Sequence, residues 1–197
     1  MSMERLAAAA GLNGPRRYVV DWQRVEASLG TRLPADYREY VYWFGPGNFQ
    51  DEFVVCVPGV ENSNVELASR LRDERDSGRL WTEVSGDPVP FPLFPEPAGW
   101  LPFAFTLEGG AVYWVTEGED PDRWTIGARD RMWRPERFDG GFSEFLREAV
   151  WDTIELDAVQ EYGDEPPLAF RPSDGAWIGG AGARLEPYGS FEEAAEG

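Results

Sequence analysis

The chain has 197 residues, of which 42% are hydrophobic and 14% aromatic, enough apolar material for the core of one domain. Its formal net charge of −18 argues against direct nucleic-acid binding and favours a basic partner, although acidity also confers solubility. The absence of lysine and histidine excludes a P-loop lysine, a Schiff-base lysine, a histidine general base and a histidine metal ligand.

The N-terminal part of the chain, residues 1–17, is predicted to be a loosely ordered leader. Its apolar stretch at residues 6–10 is too short and too weakly apolar for a signal peptide. No stretch of the sequence reaches the ~20 apolar residues that a membrane-spanning helix needs. We therefore expect a cytoplasmic protein that does not bind membranes.

Two helices are predicted next. The first begins after Asp21, whose side chain suits an N-cap, and ends at Gly30, which accepts a left-handed backbone. The second begins at Pro34, because proline suits the first helical turn, and ends at Gly45. Apolar side chains at helical spacing define the predicted buried faces: Trp22, Val25, Leu29, Tyr37, Tyr40, Val41 and Phe44.

A turn at residues 45–49 and a short buried strand at residues 53–57 follow. The strand contains Cys56, the only cysteine, so we expect a buried, inert thiol, no disulfide and no thiolate zinc site. A third helix is predicted from Asn62 or Asn64 to about Ser77, ending at Gly78. Its mixed charges are typical of a solvated face: Arg70, Arg72, Asp73, Glu74, Arg75 and Asp76.

Five prolines between residues 82 and 97 exclude regular helix there. An antiparallel meander then follows, with strands predicted at residues 100–106, 111–116 and 123–127. The glycines of residues 107–110 favour a hairpin turn between the first two strands.

The last strong helix is predicted from Phe142 to about Thr153, because its apolar residues recur at the spacing of a core-facing stripe. Beyond it the chain is acidic and rich in glycine and proline, with strands possible only near residues 168–170 and 176–178. We therefore divide the chain into the leader, a domain at residues 18–155 and an acidic C-terminal extension at residues 156–197. The end of the extension, residues 191–197, is predicted to be mobile.

The order of these elements and several local motifs resemble the SUKH superfamily, including its Smi/Knr branch. The resemblance covers residues 21–153 and leaves the extension outside. Residues 103–110 depart from it, because they are more apolar than the polar turn found there in the family. Its motifs are the opening helix at residues 22–30, the L-P-x-D-Y-R helix start at 33–38, the G-x-G-x-F turn at 44–49, the meander segments at 95–102, 111–116 and 120–126, and the closing helix at 142–146.

The resemblance implies an α+β fold in which an antiparallel meander sheet packs with about four helices. It also implies a binding function, since many bacterial members are immunity proteins that block toxin domains, often nucleases, and fungal relatives regulate cell-wall signalling. We therefore predict a non-enzymatic immunity-type protein that occludes the active surface of a basic toxin. The alternative is a cytoplasmic adaptor or scaffold for an endogenous protein. The sequence does not indicate the oligomeric state.

The sequence contains little that indicates an enzymatic activity. A serine nucleophile would lack its histidine, and the glycines near residue 180 do not have dinucleotide-binding spacing. Clustered carboxylates on a turn can hold a hard cation or act on a glycoside, so a carboxylate enzyme is a third alternative. We predict no catalytic residue, no metal site and no cofactor.

Candidate contact residues are those on predicted turns where acidic and aromatic side chains meet. For each residue the alternative to a partner contact is an ordinary role, as an exposed charge or as a tryptophan of the core. They are Asp51, Glu52, Trp81, Glu83, Glu117, Glu119, Asp120 and Asp122.

Overall fold

The computed structural model describes residues 2–50, 53–60, 62–159 and 166–172. In this part of the chain, five helices pack with one seven-stranded antiparallel sheet of strand order β6-β5-β4-β3-β2-β1-β7, which confirms the predicted α+β class. The helices are α1 (Met3–Ala9), α2 (Trp22–Leu29), α3 (Ala35–Phe44), α4 (Leu67–Ser85) and α5 (Phe142–Val150). The strands are β1 (Gly47–Phe49), β2 (Phe53–Val55), β3 (Trp100–Thr106), β4 (Ala111–Val115), β5 (Thr125–Arg129), β6 (Pro135–Phe138) and β7 (Phe170–Pro172).

Helices α2 and α3 form where the sequence predicts them, for the predicted reasons. The Asp21 side chain accepts a hydrogen bond from the Arg24 N–H (3.1 Å), and Gly30 ends α2 in the left-handed region with φ 77°. Helix α3 buries Tyr37, Tyr40, Val41 and Phe44, as the helical spacing predicts.

The N-terminal residues differ from the loosely ordered leader that the sequence predicts. They contain α1, which buries Met3, Leu6 and Ala7 in the main core. Alanine-rich segments are good helix formers, and here the apolar positions also have a surface to pack against, namely α3.

Several residues beyond position 155 also belong to the core. Leu156, Val159, Leu168 and Phe170 are buried, and Phe170 lies in β7, which pairs with β1. The predicted division at residue 155 stays a prediction, because most of the extension, including the predicted strand at residues 176–178, lies outside the described residues.

The sheet separates a large core from a small one, because side chains of a strand alternate between its faces. On the first face, Val112 and Trp114 of β4 pack in the large core with α1, α3 and α5. On the second face, Tyr113 and Val115 belong to a smaller core, called here the second-face cluster. Its buried members are Phe91, Trp100, Ala111, Tyr113, Val115 and Trp133.

Helix α4 covers the second face and is longer than the sequence predicts. Gly78, the predicted end of this helix, lies inside it, and the helix continues to Ser85 before Gly86 ends it with φ 79°. A Cβ atom at Gly78 would lie 3.1 Å from Val89, 3.2 Å from Leu93 and 3.3 Å from Trp133. The glycine is therefore a close-packing position, which a local pattern does not distinguish from a helix end.

Two strands that the sequence analysis does not predict complete the sheet. Strand β1 lies in the predicted turn at residues 45–49, and β6 follows β5 as a second hairpin. Both strands are short. Strand β6 also contains Pro135, and proline argues against a strand because it has no N–H to donate, although it is tolerated at the edge of a sheet.

Candidate protein-binding surface

Trp81 and Glu83 lie on α4, next to the second-face cluster. The Trp81 ring is half-buried, with its centroid 6.4 Å from that of Trp133. Trp133 in turn lies 6.0 Å from Phe91, which stacks on Trp100 at 3.9 Å. Trp81 is therefore the outermost member of an aromatic row that leads into the small core.

Glu83 is exposed and lines a groove of about 1010 Å³ between α4 and residues 89–96. The apolar side chains of Val89, Phe91 and Leu93 line one wall of this groove. The opposite wall, on α4, is polar and includes Arg72, Arg75, Asp76, Arg79, Thr82 and Glu83.

A buried ionic cluster fixes α4 over this face. Glu74 is 1% exposed and Arg129 is 6% exposed, and the Arg129 Nε donates to Glu74 Oε1 at 2.7 Å. The Tyr113 hydroxyl donates to the same carboxylate oxygen, and the Arg70 Nη2 donates to Oε2 at 3.0 Å. Burial and the Glu74 charge raise the pKa of Tyr113 well above its ordinary value, so the phenol stays protonated.

The Glu74 side chain corrects the expectation that this residue belongs to a solvated face. The residue lies among five other charged residues in the sequence, and its burial depends on Tyr113 and Arg129, which are 39 and 55 residues away. The one feature of the local sequence that indicates this cluster is the spacing of Arg70 and Glu74, because oppositely charged residues four apart lie on the same face of a helix.

The acidic turn, residues 117–122, lies at the end of β4 and is in part structural. The Asp122 Oδ1 accepts a hydrogen bond from the Ala35 N–H at 2.6 Å, at the start of α3. Asp120 caps the short 3-10 helix Pro121–Arg123 by accepting from the Asp122 N–H at 3.3 Å. All four acidic side chains of the turn are exposed, but Glu119 makes no hydrogen bond or ion pair with the described residues, so it is the member most available to a partner.

The Asp122 contact gives a stability prediction. Pro34, at the N-cap of α3, supplies no side-chain hydrogen bond, so the Asp122 carboxylate acts as the cap. Replacing Asp122 by alanine is expected to lower the free energy of unfolding by about 1 kcal/mol, the usual value of a lost N-cap. Urea unfolding measures the change, and Glu119→Ala is the matched control, expected to change stability by less than about 0.5 kcal/mol. Equal effects of the two substitutions would contradict a capping role for Asp122.

Arg137 of β6 joins the two groups of candidate residues. Its guanidinium carbon lies 5.1 Å above the Trp100 ring, and its Nη2 lies 3.4 Å from the Glu117 carboxylate. The acidic turn and the aromatic row are thus connected along the second face, whereas Asp51 and Glu52 lie outside the described residues. Distance in sequence hides this connection, because Arg137 and Glu117 are 20 residues apart.

The described residues show no assembled metal site and no helix that could cross a membrane. No group of three or more histidine, cysteine, aspartate or glutamate side chains is placed to hold a metal ion in the part of the chain that is described. None of its helices is long and apolar enough to span a bilayer. Cys56 is buried, and this burial raises the pKa of its thiol to about 12, in line with the predicted inert thiol.

The helices, the antiparallel sheet and the surface on its second face define an α+β domain of the type that the sequence motifs suggest. The family model described as SUKH_6, SMI1-KNR4 cell-wall, matches residues 20–146. The chain therefore belongs to the SUKH family, and the match extends from just before α2 into α5. Comparisons with curated proteins and with solved structures gave no match.

Proposed function

We propose that this protein is a non-enzymatic immunity-type binding protein that neutralises a cognate toxin by covering its active surface. The observation that carries the proposal is membership of the SUKH family over residues 20–146. The net charge of −18 supports a basic partner, such as a toxin domain with nuclease activity. A basic groove that attracts phosphate also attracts an acidic protein, which then excludes the substrate.

We further propose that the partner contacts the surface that extends from the acidic turn to the outer end of the aromatic row. Glu119 supplies an exposed charge, and Trp81 supplies an aromatic side chain at the edge of a rigid cluster. Aromatic anchors surrounded by charges are typical of energetic hot spots at protein interfaces. Asp122 and Asp120 contribute to this site mainly by holding the turn in place.

Affinity capture from the source cells with the intact chain would identify the partner. The intact chain is required, because a truncation near residue 155 would remove the buried Leu168 and Phe170. Capture of a toxic basic domain supports the proposal. Capture of only endogenous regulatory proteins would contradict it.

The captured toxin then allows a test of the surface. Glu119→Arg is expected to weaken toxin binding at least about tenfold, because a like charge replaces a complementary one, while the melting temperature stays unchanged. The matched control is Glu108→Arg, which reverses an exposed charge in the turn between β3 and β4. Isothermal titration measures both variants. Equal affinities of the two variants would remove the acidic turn from the binding surface.

A regulatory adaptor is the second candidate function. The description of the matched family refers to the cell wall, and this is the observation that supports a regulatory role. The genes next to this one distinguish the two proposals. A neighbouring toxin gene favours immunity, and a housekeeping neighbourhood favours the adaptor.

A further inference from the structure

Strand β6 is the outer strand at one edge of the sheet, and part of its backbone is unpaired among the described residues. The Asp130 N–H donates to the Arg134 carbonyl at 3.3 Å, so this pair marks a hydrogen-bonded position of the β5–β6 hairpin. Hydrogen-bonded pairs alternate along an antiparallel ladder, so Glu136 and Phe138 face β5. The N–H and carbonyl of Arg137 and the carbonyl of Pro135 therefore face outward.

This edge is basic in a strongly acidic protein. Three exposed arginines, Arg131, Arg134 and Arg137, lie on the β5–β6 turn and on β6. The two carboxylates of the same hairpin are engaged by backbone amides. Asp130 Oδ1 accepts from the Met132 N–H (2.8 Å) and the Arg134 N–H (2.9 Å), and Glu136 accepts from the N–H groups of residues 157 and 158 at 2.9 Å each.

The two arginine pairs at this edge are weak. Arg134 lies 4.0 Å from the second oxygen of Asp130 with 77% of its side chain exposed. Arg137 and Glu117 are 49% and 60% exposed, and exposed pairs of this kind contribute little. The arginines are therefore available to an acidic partner that also reaches the backbone of β6.

A second copy of the chain fits this edge poorly. Residues that lie directly opposite each other in an antiparallel pair share a face of the sheet. A two-fold pairing that uses both outward groups of Arg137 places two Arg137 side chains opposite each other, and like charges in that position are destabilising. An acidic residue opposite Arg137 converts the same geometry into an attractive pair.

We propose that β6 binds an extended acidic segment of a partner protein, which adds an eighth strand to the sheet. The outward groups of Arg137 and Pro135 supply the backbone hydrogen bonds. A carboxylate of the segment lies opposite Arg137, and Arg134 and Arg131 add positive charge at the turn end of the same edge. This proposal does not rest on the proposed toxin-binding function, because the edge selects an acidic partner and not a basic one, although Arg137 also contacts Glu117 of the acidic turn.

A capped peptide that alternates glutamate with valine tests the proposal on the intact, isotope-labelled protein. At millimolar peptide, the backbone amide of Arg137 is expected to shift in the NMR spectrum and to exchange its hydrogen more slowly. Arg137→Glu is expected to weaken binding at least about tenfold, because it places like charges opposite each other. The matched control, Arg123→Glu, reverses an exposed arginine outside the hairpin and is expected to bind normally.

Two further peptides distinguish the contribution of charge to binding from the contribution of backbone hydrogen bonds. A lysine–valine peptide and a glutamate–valine peptide with N-methylated backbone are both expected not to bind. Equal binding of either peptide, or spectral changes that do not include β6, would overturn the proposal. Concentration-dependent protection of the Arg137 amide without peptide would show that a second copy occupies the edge, and this would also overturn it.

Discussion

Replacing Glu74 by alanine is expected to lower the free energy of unfolding by about 3–5 kcal/mol, the usual cost of removing one partner from a buried ion pair. The substitution leaves the Arg129 guanidinium, 6% exposed, without its carboxylate and leaves the Tyr113 hydroxyl without its acceptor. Since domains are stable by only ~5–15 kcal/mol, this loss is a large part of the total. It should appear as a lower midpoint in urea unfolding.

The same helix provides the control. Asp76 pairs with Arg79, but their side chains are 64% and 75% exposed, so Asp76→Ala is expected to cost less than about 1 kcal/mol. The double variant Glu74→Ala with Arg129→Ala is expected to lose less than the sum of the two single variants, because they share one interaction. Equal losses in the Glu74 and Asp76 variants would refute the structural role of the buried cluster.

Replacing Phe142 by alanine is expected to cost about 3–5 kcal/mol, as truncation of a large buried aromatic side chain usually does. Phe142 is 1% exposed, and its ring contacts those of Tyr37 (5.4 Å between centroids), Phe103 (5.3 Å) and Tyr40 (5.6 Å). These rings belong to α3 and β3, so the cavity would lie where α5, α3 and the sheet meet.

Thermal and urea unfolding would measure the loss at Phe142. Leu80→Ala is the control, because Leu80 is 59% exposed on α4 and is expected to change stability by less than about 0.5 kcal/mol. A small effect at Phe142 would mean that α5 contributes less to the core than its buried stripe indicates. Neither residue lies in the proposed binding surface, so a loss of partner binding by the Glu119 variant stays distinguishable from a loss of folding.

The elements that sequence reasoning identified are those encoded by neighbouring residues. Asp21, Gly30 and Gly45 bound α2 and α3, and the apolar stripe of α5 identifies its buried face. The hairpin between β3 and β4 follows from glycines that permit a tight turn. The ordered set of these motifs also indicated the SUKH family, which the match over residues 20–146 confirms.

The features that only the tertiary structure decided depend on partners that are distant in the chain. Gly78 continues α4 because the side chains of Val89, Leu93 and Trp133 occupy the space beside it. Asp122 caps a helix 87 residues away, and Glu74 is buried only because Tyr113 and Arg129 reach it from two strands. Helix caps, periodicity and turn residues are local properties. The burial of a charge and the exposure of a sheet edge depend on which elements meet, and that is settled only when the whole chain has packed.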